Sequence, residues 1–111
     1  MPDERFGSAS ATGVEVLALT GVCTLETAVA TKHLLQERLQ PGKVLALDLE
    51  GVTEADLTLL QLVVAARRAV EVQGGTLRLE PGAGALVRAL AETAGLLADP
   101  TERRFWEGVR P

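Results

Sequence analysis

The stretch "KVLALDLEGVTEADLTLLQLVVAARRAVEVQGGTLRLE", residues 43–80, decides the fold. It opens on "KVLALDL" (43–49), a short apolar run between turn signals, which reads as a central strand buried on at least one face. It closes on "TLRLE" (76–80), where alternation puts Leu77 and Leu79 on one side and Arg78 on the other. Between them "GVT" reads as a polar, turn-like lead-in. A helix follows from about Asp56 to Val72, ended by Gly74-Gly75. Strand, helix, strand in this order predicts a parallel pair joined by a crossover.

Working outward, "VEVLAL" (14–19) reads as a further strand bounded by Gly13 and Gly21, and the piece around Phe6 as an added edge strand. Thr24 is the expected N-cap of a helix running to about Leu39. Ala28, Thr31, Leu35 and Leu39 form its inward stripe, while Glu26, His33 and Glu37 face water. Pro41-Gly42 stops it. Downstream, Pro81-Gly82 turns the chain into a third helix, about 83–94, with Leu86, Leu90 and Ala94 spaced by four. A short tail helix is expected after Pro100, with Phe105 and Trp106 packing it onto the rest. The prediction is an α/β fold: a small mixed β-sheet with parallel central strands and about four helices mainly on one face. One domain, 1–111, is expected, with its core at about 14–97 and a tail at 98–111.

Composition narrows the function. Apolar residues at 47% and charged residues at 23% argue for a packed globular chain. The net charge of −4 supplies no basic surface for a phosphate backbone, so nucleic acid is not an expected partner. Cys23 is the only cysteine, which excludes an internal disulfide, and no Cys/His cluster points to a metal. No cofactor is expected either, because "GAGA" (82–85) lacks both the G-x-G-x-x-G spacing and the lysine of a phosphate loop. "MPDERFGSASATG" lacks the layout of a signal peptide and no segment is long enough to span a membrane, so the expectation is a cytoplasmic protein without membrane insertion. There is no tyrosine, and the single histidine, His33, has no nearby Ser or Cys, so an enzyme is not expected. His33 and Arg103-Arg104 read as solvated surface, and Cys23 as a packing residue.

The 57–72 helix carries the surplus. At 100° per residue, Leu59, Leu62, Val63, Ala66, Ala69 and Val70 share an arc that should pack on the sheet. Gln61, Arg67, Arg68 and Glu71 occupy the other, and Leu57, Leu60 and Val64 fall among them. Neighbouring helices could cover these three. Left uncovered, they form an apolar patch rimmed by arginine, a docking site for another protein. Each aliphatic side chain contributes roughly 1.5–3 kcal/mol when fully buried. Thr58 lies in the first turn, where helix N–H groups stabilise an added phosphate, with Asp56 as N-cap if the helix begins there. Thr53 with Asp56 could instead form a capping box.

These elements, in this order, resemble the STAS family, the domain shared by sulfate transporters and bacterial anti-sigma-factor antagonists. The resemblance covers roughly 14–97. It rests on a strand ending in "DL", then "GVT", an aspartate at a helix start, a Gly-rich exit to "LRL", and a later helix ending in "GL" (Gly95-Leu96). "LALTGVCTLETA" is similar to the family's earlier strand, glycine and helix opening. The resemblance implies a small mixed sheet with helices chiefly on one face. It also implies that Thr58 matches the hydroxyl that a serine kinase, itself the anti-sigma factor, modifies in phosphoregulated antagonists, with Asp56 as the aspartate of their D-S-S-G-like motif. This chain reads D-L-T-L, with Leu57 and Leu59 in place of serine and glycine. "LQLVVAARRA" is closer to the branch with the phospholipid-asymmetry transporter subunit and proteins encoded beside chemotaxis histidine kinases.

The leading expectation is a bacterial, non-catalytic regulator that docks through Asp56, Leu57, Thr58, Leu60, Gln61, Val64 and Arg68, with Thr58 as the candidate phosphorylation switch. Its partner would be an anti-sigma factor/serine kinase or a chemotaxis histidine kinase. The alternative is a constitutive subunit docked on an ABC-transporter ATPase. A nucleotide-binding or enzymatic role is the third and weakest reading.

Overall fold

Val- and Leu-rich runs bounded by turn residues become strands, and the computed structural model, which describes residues 14–81 and 84–108, places five of them. They are β1 (Val14–Ala18), β2 (Gly21–Cys23), β3 (Val44–Asp48), β4 (Val52–Ala55) and β5 (Thr76–Leu79). The helices are α1 (Ala28–Arg38), α2 (Leu57–Val72), α3 (Ala85–Thr93) and α4 (Pro100–Trp106). Tight 3-10 turns at Leu25–Thr27 and Leu96–Ala98 precede α1 and α4. β3 lies between β1 and β5, β2 pairs with β4, and all these ladders are parallel. The α/β class with parallel strands and four helices is therefore as the sequence predicts.

Register explains the layering. Leu47 faces Leu17 and Leu79, and all three join Leu45 and Leu77 in one core with Leu35 of α1 and Leu59, Val63 and Val70 of α2. Ala46 points the other way, between Val16 and Arg78, and lies outside that cluster although it is buried. Val16 stays half exposed, so the helices cover chiefly one face.

Two expectations need correction. "GVT" is not a turn-like lead-in: Val52 and Thr53 open β4, and Gly21–Cys23 forms its partner β2. These short strands prolong β1 and β3 beyond a break bridged by Leu19 N–H to the Asp48 carbonyl (3.0 Å) and Gly21 N–H to the Gly51 carbonyl (2.9 Å). A Cβ on Gly51 would come within 2.8 Å of Thr20 Cγ2, which is why this crossing carries glycine. In α3 the buried row is Val87 and Ala91, whereas Leu86 and Ala94 are exposed and Leu90 is half-buried. Both rows repeat every four residues, so spacing alone could not choose between them. The residues around Phe6 and residues 82–83 lie outside the described residues.

The stripe of α1 is as read: Thr31 and Leu35 are buried, and Glu26, His33 and Glu37 are exposed. Gly74 ends α2 at φ +81°, and a Cβ on Gly75 would lie 2.5 Å from the Lys43 carbonyl oxygen, so β5 can pass close beside the start of β3. Asp99 caps α4 by accepting from the N–H groups of Thr101 (2.7 Å) and Glu102 (3.3 Å). Phe105 and Trp106, both buried and edge to face with each other at 5.1 Å, join the common hydrophobic core, which fixes the tail onto the domain. Burial pushes the Cys23 thiol up, with a Thr31 hydrogen bond opposing, as suits a packing residue and not a reactive thiolate. Among the described residues no helix is long and apolar enough to cross a membrane.

Candidate docking groove on the second helix

Asp56 sets where α2 begins. Its Oδ1 accepts from the Thr58 N–H at 2.9 Å, while Oδ2 accepts from the Leu25 N–H at 3.1 Å. One carboxylate thereby ties together the openings of two helical segments. The Leu25 bond is the main reason its carboxyl is held below the usual aspartate value; desolvation opposes it, and the Thr58 N–H and hydroxyl add to it. The alternative capping box is not formed, because Thr53 lies within β4. Asp56, expected at a partner interface, has both oxygens engaged within the chain.

Leu59, Val63, Ala66 and Val70 are buried, as the helical wheel requires. Leu62 is only half-buried and Ala69 is exposed, because this edge of the arc turns toward α1 and lines a shallow cleft with Leu39. Of the three surplus residues, Leu57 is 52% exposed and Val64 is half-buried. Leu60 corrects the expectation: at 2% exposed it belongs to the core, covered by the chain's own neighbouring segments. Arg67 is also drawn in. Its guanidinium lies 4.3 Å from the Phe105 ring centre and pairs with Glu102 at 2.8 Å and Glu71 at 3.5 Å, so α4 covers that part of the outer arc.

What remains open is a groove of about 470 Å³. Leu57, Leu60, Gln61, Val64 and Arg68 line it together with Ala65, so five of the seven expected docking residues share one site. Asp56 and Thr58 do not line it; Thr58 sits half-buried in the first turn beside it. The opposite wall is Ala94 and Leu96, from the turn after α3, where Gly95 takes φ +83°. Sequence reasoning missed that wall because it depends on how α3 packs. Leu25 and Val29, both 71% exposed, were missed as well. Their signal was an apolar pair four apart outside the α1 stripe.

Among the described residues Arg68 has no ion-pair partner, unlike its neighbour Arg67. The groove thus offers aliphatic walls, one amide and one uncompensated guanidinium, which suits a protein segment. The family model described as "Mlab, STAS domain" matches residues 7–98. No curated protein and no solved structure matches the chain.

Proposed function

The chain belongs to the STAS family, and on that premise we propose that it regulates another protein by reversible docking through the front of α2, in the manner of an anti-sigma-factor antagonist. STAS domains are binding modules, generally without catalysis. The observation that carries the reading is Leu57: an aliphatic side chain 52% exposed, at the mouth of an apolar groove and next to Thr58. Leu59, which stands where phosphoregulated relatives carry glycine, is buried in the core. Only Leu57 therefore alters the surface at that motif.

In this reading the unmodified protein docks in the cytoplasm and a phosphate on Thr58 releases it. The phosphate would add about −1.5 to −2 charges beside the Asp56 carboxylate. The dipole at the start of the helix favours that charge, so the fold survives. Desolvating the same charge against an apolar interface disfavours the complex. The test is capture of partners by wild type, Thr58→Ala and Thr58→Asp, with mass spectrometry of the partners and of the Thr58 peptide. Wild type and Thr58→Ala should retain the same partner, an anti-sigma factor/serine kinase or a chemotaxis histidine kinase, and Thr58→Asp should lose it. Equal capture by all three removes the switch.

A second reading is constitutive docking on an ABC-transporter ATPase of a phospholipid-transport complex. It is favoured by Leu57 itself, which puts a permanent apolar contact where the motif has its first serine, beside the modifiable position. An ATPase among the captured partners, with Thr58 unmodified, selects it.

A further inference from the structure

We propose that the segment occupying the groove is a three-turn amphipathic helix of the partner, carrying a carboxylate that pairs with Arg68. This deepens the docking reading and rests on it. The α2 wall runs from Leu57 to Arg68, about 16 Å at 1.5 Å per residue, or roughly three turns. Along it Leu57, Gln61, Val64 and Arg68 follow one another at steps of four, three and four, so they form one straight edge. A strand is a poor occupant, because an extended segment needs main-chain partners and the N–H and C=O groups along α2 are already bonded within the helix. A helix satisfies its own backbone and presents only side chains, which is what an apolar wall can accept.

Charge selects the kind of helix. Glu102 and Glu71 neutralise Arg67, whereas Arg68 at the end of the groove is exposed and has no ion-pair partner among the described residues. In a chain of net charge −4, an uncompensated guanidinium at the end of an apolar groove favours a carboxylate from outside, in a geometry that also fixes the register of the incoming helix.

The test titrates ¹⁵N-labelled protein with two synthetic helical peptides. Each carries leucine at three successive groove-facing positions and glutamate at the fourth, spaced by four, three and four, in either chain direction. One of the two should shift amide signals confined to residues 57–68 and 94–96. Arg68→Glu, at an exposed position, should leave the spectrum folded and weaken that peptide at least about fivefold, and lysine in place of the peptide's glutamate should restore binding to the variant. No shifts from either peptide at millimolar concentration, or affinity indifferent to the charge at position 68, overturns the proposal. If the captured partner still depends on Leu57 when the peptides fail, the docking face stands and only its helical occupant is wrong. If the partner ignores Leu57, the docking face itself falls.

Discussion

Leu57 and Leu60 stand about one turn apart on α2, at 52% and 2% exposure, and replacing each by alanine separates docking from folding. Leu60→Ala removes buried aliphatic volume that the core cannot fully refill, a loss of about 2–5 kcal/mol. For 111 residues, an unfolding entropy of roughly 2.1 cal/mol/K per residue makes this a fall in Tm of about 9–21 °C. Leu57 keeps half its side chain in water, alanine retains Cβ, and alanine is the better helix former. The expected loss is about 1 kcal/mol or less, a shift of roughly 4 °C at most. The order reverses for partner binding, where truncating an exposed anchor at the centre of an interface costs about 1–2 kcal/mol, a five- to thirtyfold weaker Kd. Thermal melts by circular dichroism and titration calorimetry with the captured partner read both. A Leu57→Ala protein that melts as low as Leu60→Ala would refute the assignment of Leu57 to the surface. One that binds as wild type does would refute its role in docking.

Three further substitutions test the frame that carries the groove. The Asp56 carboxyl should titrate by NMR with a midpoint below the ordinary value of 3.8. Because the folded value is depressed, its contribution to stability is present above the unfolded value and disappears as pH falls through the folded one. Asp56→Asn should therefore flatten the acid limb of a stability–pH curve, and a midpoint at or above 3.8 contradicts the clamp on Leu25. Gly75→Ala should destabilise by about 1–3 kcal/mol in urea melts, because its Cβ meets the Lys43 carbonyl oxygen at 2.5 Å and Val70 Cγ2 at 2.7 Å. Gly74→Asn, in open space at φ +81°, should cost much less. Equal losses at the two glycines would contradict the close approach.

Local signals carried the parts of the fold that local chemistry controls. Asp56 as cap, Gly74-Gly75 as exit and Asp99-Pro100 at the tail helix leave marks in consecutive residues, and the α2 and β5 boundaries fall within a residue or so of the reading. What escaped depends on partners far along the chain. β2 and β4, three and four residues long, are too short to show a period and exist because each finds the other. The buried row of α3 is chosen by its packing beside β4, not by its spacing. Arg67 and Leu60 both read as wet on a helical wheel, yet α4 covers one and neighbouring segments cover the other. The same limit shaped the site: one wall of the groove was legible along α2, while Ala94 and Leu96 became its other wall only through tertiary packing.

The most direct measurement is a methyl-resolved NMR spectrum of the protein with and without its captured partner. The account predicts that the methyl signals of Leu57, Val64 and Leu96 shift or broaden first, with those of Val16 on the opposite sheet face unchanged. A footprint centred on Val16, with Leu57 and Val64 unmoved, would contradict it.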